Sequence, residues 1–363
     1  IIYFYYMKKI LIFILLFLSF SCSTNNDIRG ISLKAPLSEN VDHFLKFTTN
    51  VLAPDGVNTI IFNIGWNYEF KSFPELTGPD ALSEADIKKI VKHCNSLGIE
   101  IIPKVSMLGH QSTLIRDNKG IAVQTKMHPL LENFPEFDEN PEVKLPEVYK
   151  WPNKDGLYTK SYCPLHPKVH DVVLPLISEL VDVFNAKTLH AGMDEVFYIG
   201  NENCIRCSGK SKFELYANEV NLIHSFLKKR NVELIIWGDR MIDGKETGLG
   251  MWEASENDTY GSIDLINKDV IIADWHYRRA TNTHDYFIEK GFRVLTCPHN
   301  NKEVAKTQYD QYKNHKSENY LGMVQTIWLT NQEFIDFYHG KIQIESGKKG
   351  SLETYKELVS LWK

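Results

Sequence analysis

Eight short runs of β-forming residues, most of them separated by amphipathic helical patterns, constrain the fold of this 363-residue chain more than any other feature. Strands that alternate with helices are typical of parallel β/α units, and eight such units close a barrel. We therefore predict a single α/β domain, a (β/α)8 barrel, over residues 29–363. The runs are 29–33, 57–64, 99–107, 187–193, 232–238, 269–275, 292–297 and 320–328.

One connection in this pattern is unusually long. Residues 111–165, between the third and fourth runs, contain Pro and Asn and lack a strong helical or strand period. So long a loop in a compact domain is usually functional, and a loop after a barrel strand belongs to the C-terminal rim. We expect this segment to lie over that rim.

The charge balance narrows the class of partner. The chain has 41 Lys and Arg against 46 Asp and Glu, and no block of basic residues. This balance gives no support for a nucleic-acid partner. The 43% hydrophobic content is enough for a sizeable core.

The N-terminus reads as a separate export signal, residues 1–22, followed by a short linker, residues 23–28. From Met7 onward two lysines precede an apolar run, residues 10–18, and small residues precede Cys22. The position of Cys22 resembles that of the lipidated cysteine in a bacterial lipoprotein. We therefore expect an exported protein, periplasmic or at the cell surface, with a lipid anchor as its membrane contact. A plain secretory signal is the alternative, and a spanning helix would need about 20 apolar residues.

The remaining cysteines do not form a recognisable framework. They are few and odd in number, which argues against a set of disulfides. The C-x-x-C pair, Cys204 and Cys207, has no second pair or histidine pair at zinc-ligand spacing, so a local disulfide or plain thiols are favoured. We predict no metal and no cofactor. The other cysteines are Cys94, Cys163 and Cys297.

Two adjacent acids, Asp194 and Glu195, directly follow the fourth β run. Successive strand side chains point to opposite faces, so neighbouring acids share a pocket only where a strand gives way to a loop. Barrel active sites form at that place. A cap at Asp194 with a salt bridge at Glu195 is the simpler alternative. We favour an active site because other strands end in polar and aromatic residues, namely His110, Trp237, Asp239, Trp275, His276, Tyr277 and Trp328.

The segment "HAGMDEV", residues 190–196, resembles the His-x-Gly-x-Asp-Glu signature of family 20 glycoside hydrolases, the β-N-acetylhexosaminidases. "RGISL", "GIEIIPKVSMLGH" and "LIIWGD" resemble the first-, third- and fifth-strand segments of that family, in its order. The likeness spans roughly residues 29–328. It implies a glycosidase that acts on a glycan or glycoconjugate containing N-acetylhexosamine.

The resemblance also implies a mechanism. In this family the 2-acetamido oxygen of the substrate attacks its own anomeric carbon and forms an oxazolinium intermediate, with retention of configuration. Glu195 would be the general acid, which requires a pKa raised by burial and by its acidic neighbour. Asp194 would stay ionised, orient the acetamido group and balance its developing positive charge.

The remaining candidates for substrate binding come from the resemblance, for Arg29 and His110, and from positions at strand ends, for Tyr277 and the tryptophans. Arg29 matches an arginine that binds sugar hydroxyls, and His110 matches the third-strand histidine. Tyr277 is a candidate donor to the acetamido oxygen, whereas His190 is expected to orient other residues. The aromatic walls would be Trp237, Trp275 and Trp328, with Trp252 as a further candidate.

The chain departs from the family pattern at two places. Only Glu69 lies near the end of the second run, where an acid usually pairs with the histidine. Thr330 stands where the family usually has a glutamate that binds outer sugar hydroxyls. The gluco or galacto preference and exo action therefore stay open.

Two other functions remain. One is a carbohydrate-binding barrel that has lost turnover. The other is a barrel glycosidase that uses two enzymic carboxylates, with a nucleophile after the seventh run. No acid follows that run before Glu303, which argues against the second.

Overall fold

The computed structural model describes residues 27–116, 122–147, 157–344 and 348–363. The predicted export signal, including Cys22, lies outside these residues. Within them, none of the helices combines the length and apolar character needed to cross a bilayer.

Eight parallel strands form a closed barrel, which confirms the predicted fold class. Seven of the strands lie within their predicted runs, and the first extends its run by one residue at each end. Around the barrel the order is first, tenth, ninth, eighth, seventh, sixth, third and second strand of the chain. These strands are β1 (Ile28–Lys34), β2 (Thr59–Asn63), β3 (Glu100–Met107), β6 (Thr188–Gly192), β7 (Glu233–Trp237), β8 (Ile271–Asp274), β9 (Arg293–Thr296) and β10 (Tyr320–Thr326).

Helices surround the barrel. Ser83 caps α2 through a capping box with Asp86, in which each side chain bonds the other residue's backbone N–H. The α-helices are α1 (Val41–Phe47), α2 (Glu84–Ser96), α3 (Pro129–Asn133), α4 (Val169–Phe184), α5 (Lys212–Lys228), α6 (Gly244–Thr247), α7 (Gly250–Glu253), α8 (Thr283–Glu289), α9 (Lys302–Asn314), α10 (Asn331–Tyr338) and α11 (Ser351–Trp362). A π-helical turn lies at Thr48–Leu52, and 3₁₀ turns lie at Ser38–Asn40, Pro74–Leu76, Pro135–Phe137, Asp239–Met241 and Tyr260–Asp264.

The segment predicted as one long loop, residues 111–165, contains regular structure. It holds an antiparallel hairpin of β4 (Ser112–Arg116) and β5 (Ala122–Met127), followed by α3. β4 and β5 show neither a continuous apolar run nor a regular alternation, so they do not stand out in the sequence. The segment returns to the C-terminal end of β3, where the backbone N–H of Tyr162 donates to the carbonyl of Leu108.

The buried apolar side chains fall mainly into two layers. The larger layer lies between the barrel and its helices and includes most Val, Ile and Leu residues of the chain. A smaller cluster combines alternate residues of several strands, as the side-chain period of two requires for a barrel interior. This interior cluster comprises Ile61, Ile102, Ile235, Trp237, Ile271, Ala273, Trp275, Leu295, Cys297 and Val324.

Candidate active site

Asp194 and Glu195 lie at the C-terminal end of β6, where the backbone leaves the strand conformation. Gly192, Met193 and Glu195 have φ angles of 70°, 69° and 48°. These left-handed residues break the alternation of side chains, so that two consecutive acids can face the same side. The side chains of Asp194 and Glu195 are only 11% and 12% exposed.

His110, at the C-terminal end of β3, bridges the two acids. Its Nε2 lies 3.1 Å from Oδ2 of Asp194 and 3.2 Å from Oε2 of Glu195. Burial opposes a charge on His110, but the two carboxylates outweigh it and raise its pKa to about 10. Burial likewise opposes a charge on Asp194, but His110 and Lys104 hold the pKa of Asp194 well below its usual range.

Two glycines allow β3 and β6 to approach this closely. A Cβ on Gly109 would lie 2.6 Å from the carbonyl oxygen of Asp194. A Cβ on Gly192 would lie 3.0 Å from Cα of Ser106, at a φ that L side chains rarely adopt. The acids and the histidine therefore meet only because both positions lack a side chain.

Below the acids, the barrel interior holds Lys104, His190 and Trp237. Lys104 pairs in register with His190, and its Nζ lies 6.0 Å from the ring centroid of Trp237. The His190 ring lies 4.5 Å from that of Trp237. Burial lowers the pKa of Lys104, although the Asp194 carboxylate opposes this. Burial and Lys104 hold the pKa of His190 well below its usual range, so His190 stays neutral.

Asp239, just after β7, ties the acid pair to the next strands. Its Oδ2 accepts hydrogen bonds from the backbone N–H of Glu195 at 2.9 Å and from Nε of Arg240 at 2.7 Å. Its Oδ1 accepts one from the indole N–H of Trp275 at 3.3 Å. Burial raises the pKa of Asp239, and Arg240 opposes that rise.

Tyr158 contacts Glu195 from the long segment after β3. Its hydroxyl donates to Oε2 of Glu195 at 3.1 Å. The Tyr158 ring stacks on Trp252 with 6.0 Å between centroids and a 13° angle between planes. Tyr158 thus brings this segment into contact with the acid pair.

Tyr277 and Trp328 lie together beside Trp275. The indole N–H of Trp328 donates to the Tyr277 hydroxyl at 3.2 Å, and the rings of Trp275 and Tyr277 are 4.9 Å apart. Thr326 Oγ1 donates to the same hydroxyl at 3.1 Å. Because the Trp328 indole and the Thr326 hydroxyl both donate to the phenol oxygen, the phenol proton is available to a substrate carbonyl.

The prediction for Arg29 is wrong. Arg29 is the second residue of β1, and its Nε donates to the carbonyl of Gly56 at 2.9 Å, just before β2 begins. The amino ends of parallel strands lie at the opposite end of a barrel from the carboxyl ends. Arg29 therefore lies away from the acid pair and cannot bind a sugar there.

The two departures from the family pattern have structural outcomes. Glu69 is exposed, and His110 forms its ion pairs with Asp194 and Glu195. Thr330 caps α10: its Oγ1 accepts from the N–H of Glu333, while Glu333 Oε2 accepts from the N–H of Thr330. The side chains of Thr330 and Glu333 are therefore both engaged in capping the helix.

The structure thus brings His110, Asp194 and Glu195 into direct contact. Trp237 and Trp275 lie beneath them, whereas Tyr277 and Trp328 form a half-buried wall nearby. Lys104 and Tyr158 were not among the predicted site residues, and Asp239 was recognised only as an acid at a strand end. The signal for Lys104 was present, because it shares the parity of Ile102 on β3 and thus points into the barrel.

The carboxyl ends of the parallel strands carry buried acids, a histidine and aromatic side chains. These features define the chain as a (β/α)8-barrel protein with an enzyme-type site. Comparison with known proteins is more specific. The family model described as glycosyl hydrolase family 20, catalytic domain, matches residues 59–343, and the chain belongs to this family.

Two curated relatives are similar over part of their length. A lacto-N-biosidase of Bifidobacterium bifidum is 25% identical over 223 residues, which are 58% of this chain and 16% of that protein. A beta-hexosaminidase of Akkermansia muciniphila is 24% identical over 182 residues, 46% of this chain and 33% of that protein. The chain thus matches a third or less of each.

Among solved structures, the β-N-acetylhexosaminidase of Bacteroides fragilis has the same fold. The TM-score is 0.57 at 15% identity, and the match covers 83% of this chain and 61% of that one.

Proposed function

We propose that the chain hydrolyses β-linked N-acetylhexosamine from a glycan or glycoconjugate, with the substrate's own acetamido oxygen as the nucleophile. Family membership and the two relatives, a lacto-N-biosidase and a beta-hexosaminidase, support a glycosidase. The mechanism rests on the geometry of the acid pair.

One observation carries the proposal: the carboxylates of Asp194 and Glu195 both lie within 3.2 Å of the same His110 nitrogen. Two acids that face one point can act on one sugar, with Asp194 at the acetamido N–H and Glu195 at the glycosidic oxygen. The lowered pKa of Asp194 fits the ionised role, which balances the charge of an oxazolinium ion.

Proton transfer is assigned to Glu195. It would protonate the leaving oxygen and then activate the water that opens the oxazolinium ion. Tyr158 fits this role, because its hydroxyl donates to Glu195 Oε2 and can stabilise the carboxylate that remains after the proton has left. In this proposal Tyr277 donates its phenol proton to the acetamido oxygen and directs that oxygen at the anomeric carbon. Such intramolecular attack has an effective molarity on the order of 10⁵ M or more.

A comparison of three aryl glycosides tests the proposal. The N-acetyl-β-glucosaminide and its galacto epimer would be assayed beside the β-glucoside, which has a hydroxyl in place of the acetamido group. We expect turnover only of substrates with the acetamido group. Efficient hydrolysis of the glucoside would contradict substrate assistance.

Variants of the acid pair sharpen this test. Glu195→Gln should lose most turnover of poor leaving groups, while Asp194→Asn should bind a thiazoline analogue of the intermediate more weakly. Glu69→Gln, which changes an exposed acid after β2, is the matched control and should retain wild-type kinetics. Full activity in both acid-pair variants would refute the assignment.

A carbohydrate-binding barrel without turnover is the second candidate. His110 engages both acids, and Thr330 forms a helix cap at the place of the family's glutamate. Titration calorimetry with N-acetylglucosamine, combined with a null result in all three assays, would favour this function. A glycosidase with an enzymic nucleophile after β9 has less support, since Glu303 is exposed in the first turn of α9.

A further inference from the structure

Four potential metal ligands meet in a buried cluster outside the acid pair. The sulfur atoms of Cys163, Cys204 and Cys207 and a carboxylate oxygen of Glu139 all lie within 4.8 Å of one another. All four residues are buried. The C-x-x-C pair lacked further ligands in the sequence because Cys163 and Glu139 come from the distant segment after β3. Folding supplies the two missing members of a four-ligand set.

The sulfur spacing fits a tetrahedral ion. Cys163 Sγ lies 3.6 Å from Cys204 Sγ and 3.4 Å from Cys207 Sγ. A zinc–sulfur bond of about 2.3 Å gives a tetrahedral S···S edge of about 3.8 Å, so small shifts would accommodate zinc. A disulfide requires an S–S length of about 2.05 Å and would leave one cysteine of the three unused.

Backbone N–H groups lie close to the sulfur atoms of the cluster, as they do around metal-bound thiolates. Those of Arg206 and Cys207 lie within hydrogen-bonding reach of Cys204 Sγ, and that of Leu165 lies within reach of Cys163 Sγ. Such N–H donors offset the negative charge that several thiolates and a carboxylate bring to one metal ion.

Glu139 supplies an independent sign of a ligand. It is 1% exposed, and its Oε1 accepts a hydrogen bond from the backbone N–H of Asn201 at 3.0 Å. Its Oε2 is buried and has no hydrogen-bond partner within the ranges that the structure describes. A buried carboxylate oxygen without a donor is costly, and a metal ion would satisfy it.

We propose that Glu139, Cys163, Cys204 and Cys207 bind one structural zinc ion that ties the segment after β3 to the loop after β6. Four protein ligands complete a tetrahedral shell, and no position is left for water, as in structural rather than catalytic zinc sites. The joined segments include Tyr158, five residues before Cys163, and the acid pair after β6. The zinc ion would therefore help to hold the Tyr158 hydroxyl against Glu195 whatever reaction the site performs.

Metal analysis of the purified full chain tests the proposal without reference to activity. The protein would be dialysed to remove loosely bound ions and measured by plasma mass spectrometry. We expect one zinc per chain in the wild type and almost none in Cys204→Ser or Cys207→Ser. Cys94→Ser, which changes a buried cysteine of α2 outside the cluster, should retain the full equivalent.

A second measurement covers variants that fail to fold. Wild-type protein stripped by a chelator would be titrated with Co²⁺, and tetrahedral thiolate ligation predicts sulfur-to-cobalt charge-transfer absorption that Zn²⁺ abolishes. Alkylation with mass mapping would report the state of Cys163, Cys204 and Cys207. Failure to take up either ion, or a disulfide between two of these cysteines in the never-reduced protein, would overturn the proposal.

Discussion

The carboxylate of Asp239 accepts a hydrogen bond from the backbone N–H of Glu195, with 2.9 Å between Oδ2 and the nitrogen. Glu195 has a φ of 48°, a conformation that costs a non-glycine residue free energy and persists only when its surroundings hold it. Asp239 provides that support from the neighbouring strand end. The orientation of the Glu195 side chain thus depends on a residue that lies outside the acid pair itself.

Asp239→Asn should weaken both the fold and the site. The variant leaves the fully buried Arg240 without its carboxylate partner, which costs about 3–5 kcal/mol of unfolding free energy. Misplacement of Glu195 should also lower kcat/KM on the order of a hundredfold. Urea unfolding and steady-state kinetics measure the two effects. Asp243→Asn is the control, because asparagine caps α6 as well as aspartate does.

The pH dependence of stability should reveal the His110 ion pairs. His110 has a pKa of about 10 in the folded protein against about 6.5 when unfolded, so its stabilisation is fully present below pH 6.5. As pH rises through 10, this contribution is lost, at up to about 1.4 kcal/mol per pH unit. His110→Gln should abolish this part of the slope. His276, with a pKa of about 9, titrates in both proteins and cancels in the difference. Equal slopes for the two proteins would rule out a charged His110.

Local patterns in the sequence were sufficient to predict the barrel. Each strand carries its own apolar β-branched run, and Ser83 with Asp86 marks the start of α2 within four residues. Such signals need no knowledge of distant contacts. The hairpin of β4 and β5 was missed because its strands show neither a continuous apolar run nor a regular alternation.

The site was only partly predictable. Positions at strand ends predict Asp194, Glu195 and His110. The prediction for Arg29 was wrong because this residue lies at the start of its strand, at the opposite end of the barrel from the acids. Tyr158 reaches Glu195 through a loop path that no periodicity encodes. The contact of Cys163 with the C-x-x-C pair was also missed, because it likewise depends on the path of a loop.

Replacement of Lys104 should shift the acid limb of the reaction. Burial raises the pKa of Asp194, whereas the charge of His110 and, to a smaller extent, that of Lys104 lower it. In Lys104→Met the pKa of Asp194 should rise, and the acid limb of kcat/KM should move to higher pH. Stability should change little, because the variant removes the cost of burying an ammonium group, while Asp194 loses one of its two cationic neighbours and keeps His110. Lys89→Met, at an exposed ion pair with Asp42, is the control. An unmoved acid limb would show that Lys104 does not act on Asp194.

Tyr158→Phe should separate proton transfer from sugar binding. The variant removes the hydroxyl that donates to Glu195 Oε2 and keeps the ring that stacks on Trp252. A hydrogen bond to a charged group contributes about 1.5–3 kcal/mol, so kcat should fall roughly ten- to hundredfold while KM stays within about twofold. Tyr260→Phe, at an exposed tyrosine, should leave both constants unchanged. A rise in KM with kcat unaltered would instead make Tyr158 a binding residue, because it would then contribute equally to the ground state and the transition state.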